Sequence, residues 1–152
     1  MERKELEKII FNIVPQLSFF GGTSPKEIHN IIDYIHEEEV EAGNYVYREG
    51  DSPENLYILL EGEMDFFMLE EKIAHGETGL LFGTSATIGI QKQLVSAMAK
   101  TDVKLAVISK SFFIEMSKKD PKLFVKIILN VARDLARDLK FLRDYVEKQK
   151  FK

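Results

Sequence analysis

The side chains of this chain that could do chemistry are few, and their spacing argues against catalysis. Glu37, Glu38 and Glu39 form a carboxylate row. Where helical signals give way to turn signals, such a run is a solvated charged face rather than an acid/base pair. His29 and His36 stand two helical turns apart, too far to share a small ion, and His75 is remote from both in sequence. Exposed or hydrogen-bonded imidazoles are the expectation, with no metal ligand among them. There is no cysteine, which removes disulfides, thiolate zinc sites and cysteine-held iron–sulfur clusters. No GxSxG, HExxH or Walker loop is present either. The expectation is a protein that is not an enzyme. A single axial histidine can hold haem, and His75, read as lying in a turn, is the residue that would do so.

What remains is a series of glycines at 43, 50, 62, 79 and 83, each suited to a tight turn between short strands. Gly83 has a further use. A residue without Cβ that opens a helical turn lets backbone N–H groups approach an anion.

The elements that must position these residues can be read in order. Residues 2–14 carry Leu6, Ile9, Ile10 and Ile13 at helical spacing and stop at Pro15. Ser24, Pro25 and Glu27 form a capping box for a second helix with Ile28, Ile31, Ile32 and Ile35 on one face, expected to end near His36. Residues 40–108 then show short apolar or alternating runs at 45–47, 56–60, 64–69, 95–98 and 103–108, separated by turn residues. Closely spaced short strands of this kind predict an antiparallel sandwich or barrel. Residues 82–93 lack alternation and read as a loop with one helical turn. A short helix follows at 111–118, and Asp120 with Pro121 starts a long one. In it Val125, Ile128, Ala132, Leu135, Leu139, Leu142 and Val146 repeat at alternating three- and four-residue steps, the seam of a coiled coil. Phe124, Ile127 and Val131 form a second stripe, so one stripe can cover the barrel while the other meets a partner.

No run of eighteen apolar residues is present, the start of the chain does not read as a signal peptide, and the net charge is −4. A cytoplasmic protein without nucleic-acid or membrane partners is expected. The basic residues Lys148, Lys150 and Lys152 read as a solvated helix terminus.

Residues 43–51, Gly-Asn-Tyr-Val-Tyr-Arg-Glu-Gly-Asp, and 56–64, Leu-Tyr-Ile-Leu-Leu-Glu-Gly-Glu-Met, resemble the cyclic-nucleotide-binding domain family. The likeness continues through Gly79-Leu80-Leu81-Phe82-Gly83 and residues 99–105, and covers the chain from about Pro15 to the C-terminal helix. It implies a mainly β fold with flanking helices: an antiparallel β-roll, or jelly roll, at 39–109. N-terminal helices at 1–38 and C-terminal helices at 110–152 complete a single domain. It also implies that residues 82–96 correspond to the phosphate-binding cassette, which runs from Phe-Gly-Glu to an Arg followed by Ala and Thr or Ser. In the family the Glu holds the ribose hydroxyl and the Arg pairs with the cyclic phosphate.

Here Thr84 stands at the Glu position, Gln93 at the Arg position and Val95 at a small Ala position; Ala86 and Ser96 keep family character. The resemblance makes Gly83, Thr84, Ser85, Ala86, Gln93 and Ser96 the candidate ligand residues. Occupancy of the loop is expected to reposition the C-terminal helix. Glutamine offers a phosphate only a neutral bond, so weak or absent binding of cyclic AMP and cyclic GMP is expected, with no cofactor and a nucleotide-like small molecule as the ligand class. The helical pattern runs on to Lys152, which reads as a free-standing regulatory module without a DNA reader. The seam predicts a homodimer, or docking of a protein partner. Two other readings stay open: an interaction module with a vestigial pocket, and a haem sensor on the same fold.

Overall fold

The computed structural model of the protein describes residues 3–150, so the expected helix start at Glu2 and the basic Lys152 lie outside the described residues. Helix α1 spans Arg3–Ile13 and is followed by single 3-10 turns at Val14–Gln16 and Ser18–Phe20. Helix α2 is Pro25–Ile32. Strands β1 to β6 are Ile35–Val40, Tyr45–Tyr47, Asn55–Glu61, Met64–Met68, Glu71–Gly76 and Leu81–Phe82. Helix α3, Thr84–Gly89, precedes β7, Ser96–Ala99, and β8, Val103–Ser109. Helices α4, Ser111–Lys119, and α5, Pro121–Lys150, complete the chain. The strands form two four-stranded sheets, ordered β1-β8-β3-β6 and β2-β7-β4-β5, and every recorded pairing is antiparallel. This is the expected β-roll with flanking helices.

Strand β3 explains why the roll has two cores. Successive strand side chains point to opposite faces, and Leu56 to Leu60 are all buried. Leu56, Ile58 and Leu60 belong to the helix-side core with Ile10, Phe19, Phe20, Ile31, Phe112 and Ile127. Tyr57 and Leu59 face inward, with Met64, Phe66, Phe82, Leu105 and Val107. Each such side chain contributes about 1.5–3 kcal/mol on burial, which binds roll and helices into one unit.

The capping box at α2 forms as expected: Ser24 Oγ accepts from the Glu27 N–H at 3.1 Å, and Glu27 Oε1 accepts from the Ser24 N–H at 2.9 Å. The helix nevertheless ends at Ile32 rather than near His36. Residues 35–40 instead pair with β8, from Ile35 opposite Ile108 to Val40 opposite Val103. Glu37, Glu38 and Glu39 therefore lie in a strand, and His29 and His36 do not share a helix. Glutamate has low strand propensity, but pairing with a buried neighbour overrides it. His75 likewise lies in β5 rather than in a turn.

Helix α5 joins the parts. Leu123, Ile127 and Val131 are buried on its inner face, where Ile127 and Val131 were expected. Asn130 donates to the carbonyls of Phe19 at 3.0 Å and Gly21 at 2.8 Å. Lys126 Nζ reaches the Glu27 carboxylate at 2.9 Å, and this bond first, then the Ser24 N–H, holds the Glu27 carboxyl below its ordinary value. The two ties fix α5 against the 3-10 turns and α2.

Candidate ligand-binding cassette

Strand β6 is short but decisive for the site. Tyr57 pairs with Phe82, which delivers Gly83 to the start of α3 with φ of 78°. In that left-handed conformation a Cβ would be strained, and it would lie 3.1 Å from the Asn55 carbonyl and 3.3 Å from the Tyr57 ring. Within α3, Thr84, Ala86 and Thr87 face inward and Ser85 faces water. Thr87 Oγ1 donates to the Asn55 carbonyl at 2.9 Å. The helix stops at Ile90, itself left-handed at φ 52° and 89% exposed.

The returning limb is held by the same β2–β3 connection. The Gln93 N–H donates to the Asp51 carbonyl, and the Gln93 carbonyl accepts from the Gly50 N–H, both at 2.8 Å. Ser96 Oγ accepts from the Glu49 N–H at 2.9 Å. Thus the two limbs of the expected cassette, Gly83 to Ala86 and Gln93 to Ser96, are both anchored to residues 49–55. Thr84 and Gln93 are buried, at 2% and 5% exposure. The Thr84 hydroxyl has no hydrogen-bond partner among the described residues.

The sequence reading missed what lies inside the roll ahead of the cassette. Tyr47, Tyr57, Phe66 and Phe82 form one aromatic cluster, with Tyr57 and Phe82 stacked at 5.2 Å and Phe66 edge-on to Phe82 at 5.5 Å. Alternation along Tyr45-Val46-Tyr47 does not reveal this cluster, because the β2–β7 register shifts between the two tyrosines and only Tyr47 is buried. Burial, then the neighbouring Tyr57, pushes the Tyr47 phenol well above its ordinary value, against the opposing pull of the Gly83 amide. Burial likewise raises the Tyr57 phenol.

Acidic groups from three elements act on this cluster: Asp138 of α5 on Tyr47, and Glu38 of β1 and Glu54 before β3 on Tyr57. The surrounding protein, and then the Asp134 carboxylate, push the Asp138 carboxyl up to about 6, although part of its side chain meets water. Asp134 is buried; desolvation raises its carboxyl, and Arg137, 3.4 Å from Oδ1, opposes that. Lys92 is exposed, and exposed Arg48 lies over the Tyr45 ring at 4.2 Å. Two open cavities lie elsewhere. One of about 610 Å³ is lined by Gln16, Ser18, His75, Glu77, Asp134 and Arg137, among others; one of about 760 Å³ lies beside Glu38, Tyr45 and Arg48. Residues 82–96 line neither.

The expected seam on α5 divides. Ile128 and Leu135 are partly buried against the helix-side core, whereas Val125, Leu139, Leu142 and Val146 are exposed and Ala132 lies among exposed residues. No helix among the described residues is long and apolar enough to cross a membrane.

Comparison with known proteins agrees with this geometry. The model of the cyclic nucleotide-binding domain family matches residues 37–120, and the chain belongs to that family. A cAMP-dependent protein kinase regulatory subunit of Emericella nidulans is 31% identical over 114 residues, 74% of this chain and 27% of that protein. The chain spans about a quarter of the length of such curated relatives. Among solved structures, a cyclic nucleotide-binding domain from Methylobacillus flagellatus superposes with a TM-score of 0.84 at 22% identity, over 95% of this chain and 84% of that one. The regulatory subunit of a cAMP-independent protein kinase A from Trypanosoma brucei superposes at 0.74 with 21% identity, over 96% and 50%. A triple variant of that trypanosome subunit, bound to cAMP in its A site, superposes at 0.73 with 21% identity, over 99% and 53%.

Proposed function

We propose that this protein is a non-enzymatic regulatory module whose cassette takes a small nucleotide-like ligand through neutral contacts, and that it binds cyclic AMP and cyclic GMP weakly or not at all. One observation carries the reading: the positions of the family's two charged anchors hold Thr84 and Gln93, both buried and neutral. An arginine–phosphate pair is charge-assisted, and leaving a buried phosphate charge unpaired costs about 2–5 kcal/mol. The trypanosome subunit described as cAMP-independent supports the same reading. The cAMP-bound variant of that subunit carries three substitutions, one of which replaces a threonine by arginine.

Helix α5 is the responding element in this reading. It touches α3, and its Asp138 influences Tyr47, which packs beside Gly83. A ligand that displaces Tyr47 or straightens α3 would therefore shift α5. The exposed Leu139, Leu142 and Val146 favour pairing of α5 with that of a second copy.

A second reading, an interaction module with a vestigial pocket, is favoured by the aromatic cluster of Tyr47, Tyr57, Phe66 and Phe82 inside the roll. The haem reading gains no support: both His75 nitrogens face carboxylates, Asp65 and Glu63, each at 3.3 Å. A thermal-shift screen of cyclic mononucleotides, cyclic dinucleotides, other nucleotides and haem separates these readings. A nucleotide hit that is lost in Gly83→Val supports the sensor; no shift from any class supports the vestigial pocket.

A further inference from the structure

Pairing of β4 with β5 brings four metal-competent side chains to one end of the hairpin. Met64 pairs with Gly76 and Asp65 with His75. Glu63 immediately precedes β4 and Glu77 immediately follows β5, so they flank the paired Asp65 and His75 at the same end of the hairpin. The contacts bear this out: His75 Nε2 lies 3.3 Å from Glu63 Oε1 and 3.9 Å from Glu77 Oε1. One ligand atom from each of the three residues falls within 4.8 Å of the others. A zinc ion with bonds of about 2.0–2.2 Å holds neighbouring ligand atoms roughly 3–4 Å apart. The observed spacings need little adjustment.

His75 Nδ1 lies 3.3 Å from Asp65 Oδ1, and Asp65 is itself buried and held by Lys72 Nζ at 3.1 Å. A carboxylate on one imidazole nitrogen fixes the tautomer and turns the other nitrogen's lone pair outward. With Nδ1 as the donor to Asp65, the Nε2 lone pair and two carboxylates converge without a donor between them. In that tautomer a bound cation supplies the positive partner that these three atoms share, a role the imidazole fills itself when both its nitrogens carry protons. The Glu63 backbone is fixed as well, since its N–H donates to Thr101 Oγ1 at 3.0 Å and its carbonyl accepts from the Lys100 N–H at 2.9 Å. One imidazole with two carboxylates suits zinc, cobalt or nickel rather than magnesium or calcium.

His75 and Glu77 also line the 610 Å³ cavity that Asp134 and Arg137 of α5 border. Asp134 is only 7% exposed, and its Oδ2 has no hydrogen-bond partner among the described residues. Asp134 is paired on its other oxygen with Arg137 at 3.4 Å, and acidic groups from just after β5 and from α5 border this cavity.

We propose that Glu63, His75 and Glu77 form a binding site for a divalent transition ion of the zinc type, with Asp65 orienting His75. The site is separate from the cassette, and it does not depend on what the cassette binds. The test is calorimetric titration of zinc, and optical titration of cobalt, into the full chain freed of metal with a chelator. One equivalent is expected to bind with micromolar or tighter affinity and to raise the melting temperature. His75→Gln should abolish that step. Glu77→Gln, at a residue whose side chain is 81% exposed and so harmless to folding, should weaken it at least tenfold. His29→Gln should leave it unchanged. Zinc affinity no better than millimolar would overturn the assignment, as would binding that survives both His75→Gln and Glu77→Gln.

Discussion

The ring of Phe82 stacks on that of Tyr57 at 5.2 Å with the planes 17° apart, immediately before Gly83 turns the chain into the cassette. A cross-strand aromatic pair thus fixes the direction in which α3 leaves the roll. The cassette backbone is positioned by packing that does not involve the charged anchors found elsewhere in the family, so the cradle can persist while its chemistry changes.

Restoring those anchors should therefore restore affinity. Thr84→Glu combined with Gln93→Arg is expected to tighten cyclic AMP or cyclic GMP binding by at least tenfold, since about 1.4 kcal/mol corresponds to each factor of ten. Equilibrium dialysis of wild type against the double variant measures it. No gain would mean that the aromatic cluster, rather than the missing charges, closes the pocket.

Assembly through α5 is expected to respond at its distal half. Leu139 and Leu142 are 70% and 38% exposed, so Leu139→Asp and Leu142→Asp should yield folded monomers in sedimentation equilibrium. Leu135→Asp tests less cleanly, because Leu135 also packs on the helix-side core. A wild-type monomer at tens of micromolar would refute pairing through this helix.

The hydrogen bonds from Asn130 to the Phe19 and Gly21 carbonyls should matter for stability. Asn130→Ala strands these acceptors in a largely buried setting, and a loss of about 1–3 kcal/mol in urea unfolding is expected.

The Asp138 carboxyl makes stability depend on pH with a definite sign. Its folded value, about 6, lies above the ordinary carboxylate value. The folded state therefore binds the extra proton between these values, and stability falls as pH rises through that window. Asp138→Asn should flatten this contribution between about pH 4 and 6 and raise the melting temperature at pH 7, as thermal melts across a pH series will register.

The helices and most strands were legible because their signals are local: the Ser24–Glu27 capping box, the Asp120–Pro121 start of α5, and the apolar runs of β3 and β8. Strand β1 was not, because Ile35 to Val40 gains its order from pairing with β8 and carries three glutamates where apolar alternation would normally show. Strand β6 has two residues, too few for any period. At the cassette, the left-handed turn at Gly83 was legible from the chain, and Thr84 and Gln93, named there by position, are buried. The reach of Asp138 to Tyr47 was not legible, since it depends on how α5 lies relative to the roll. Counting histidines against one another likewise hid the grouping of His75 with Glu63 and Glu77, which appears only once β4 and β5 are in register.

The central claim is that a neutral cassette replaces the charged one, and calorimetric titration of cyclic AMP and cyclic GMP into the wild-type protein tests it most directly. The expected result is no saturable heat, or binding weaker than about 100 μM, as the loss of several kcal/mol of charge pairing implies. Submicromolar binding of either nucleotide that is lost on Gly83→Val would contradict it.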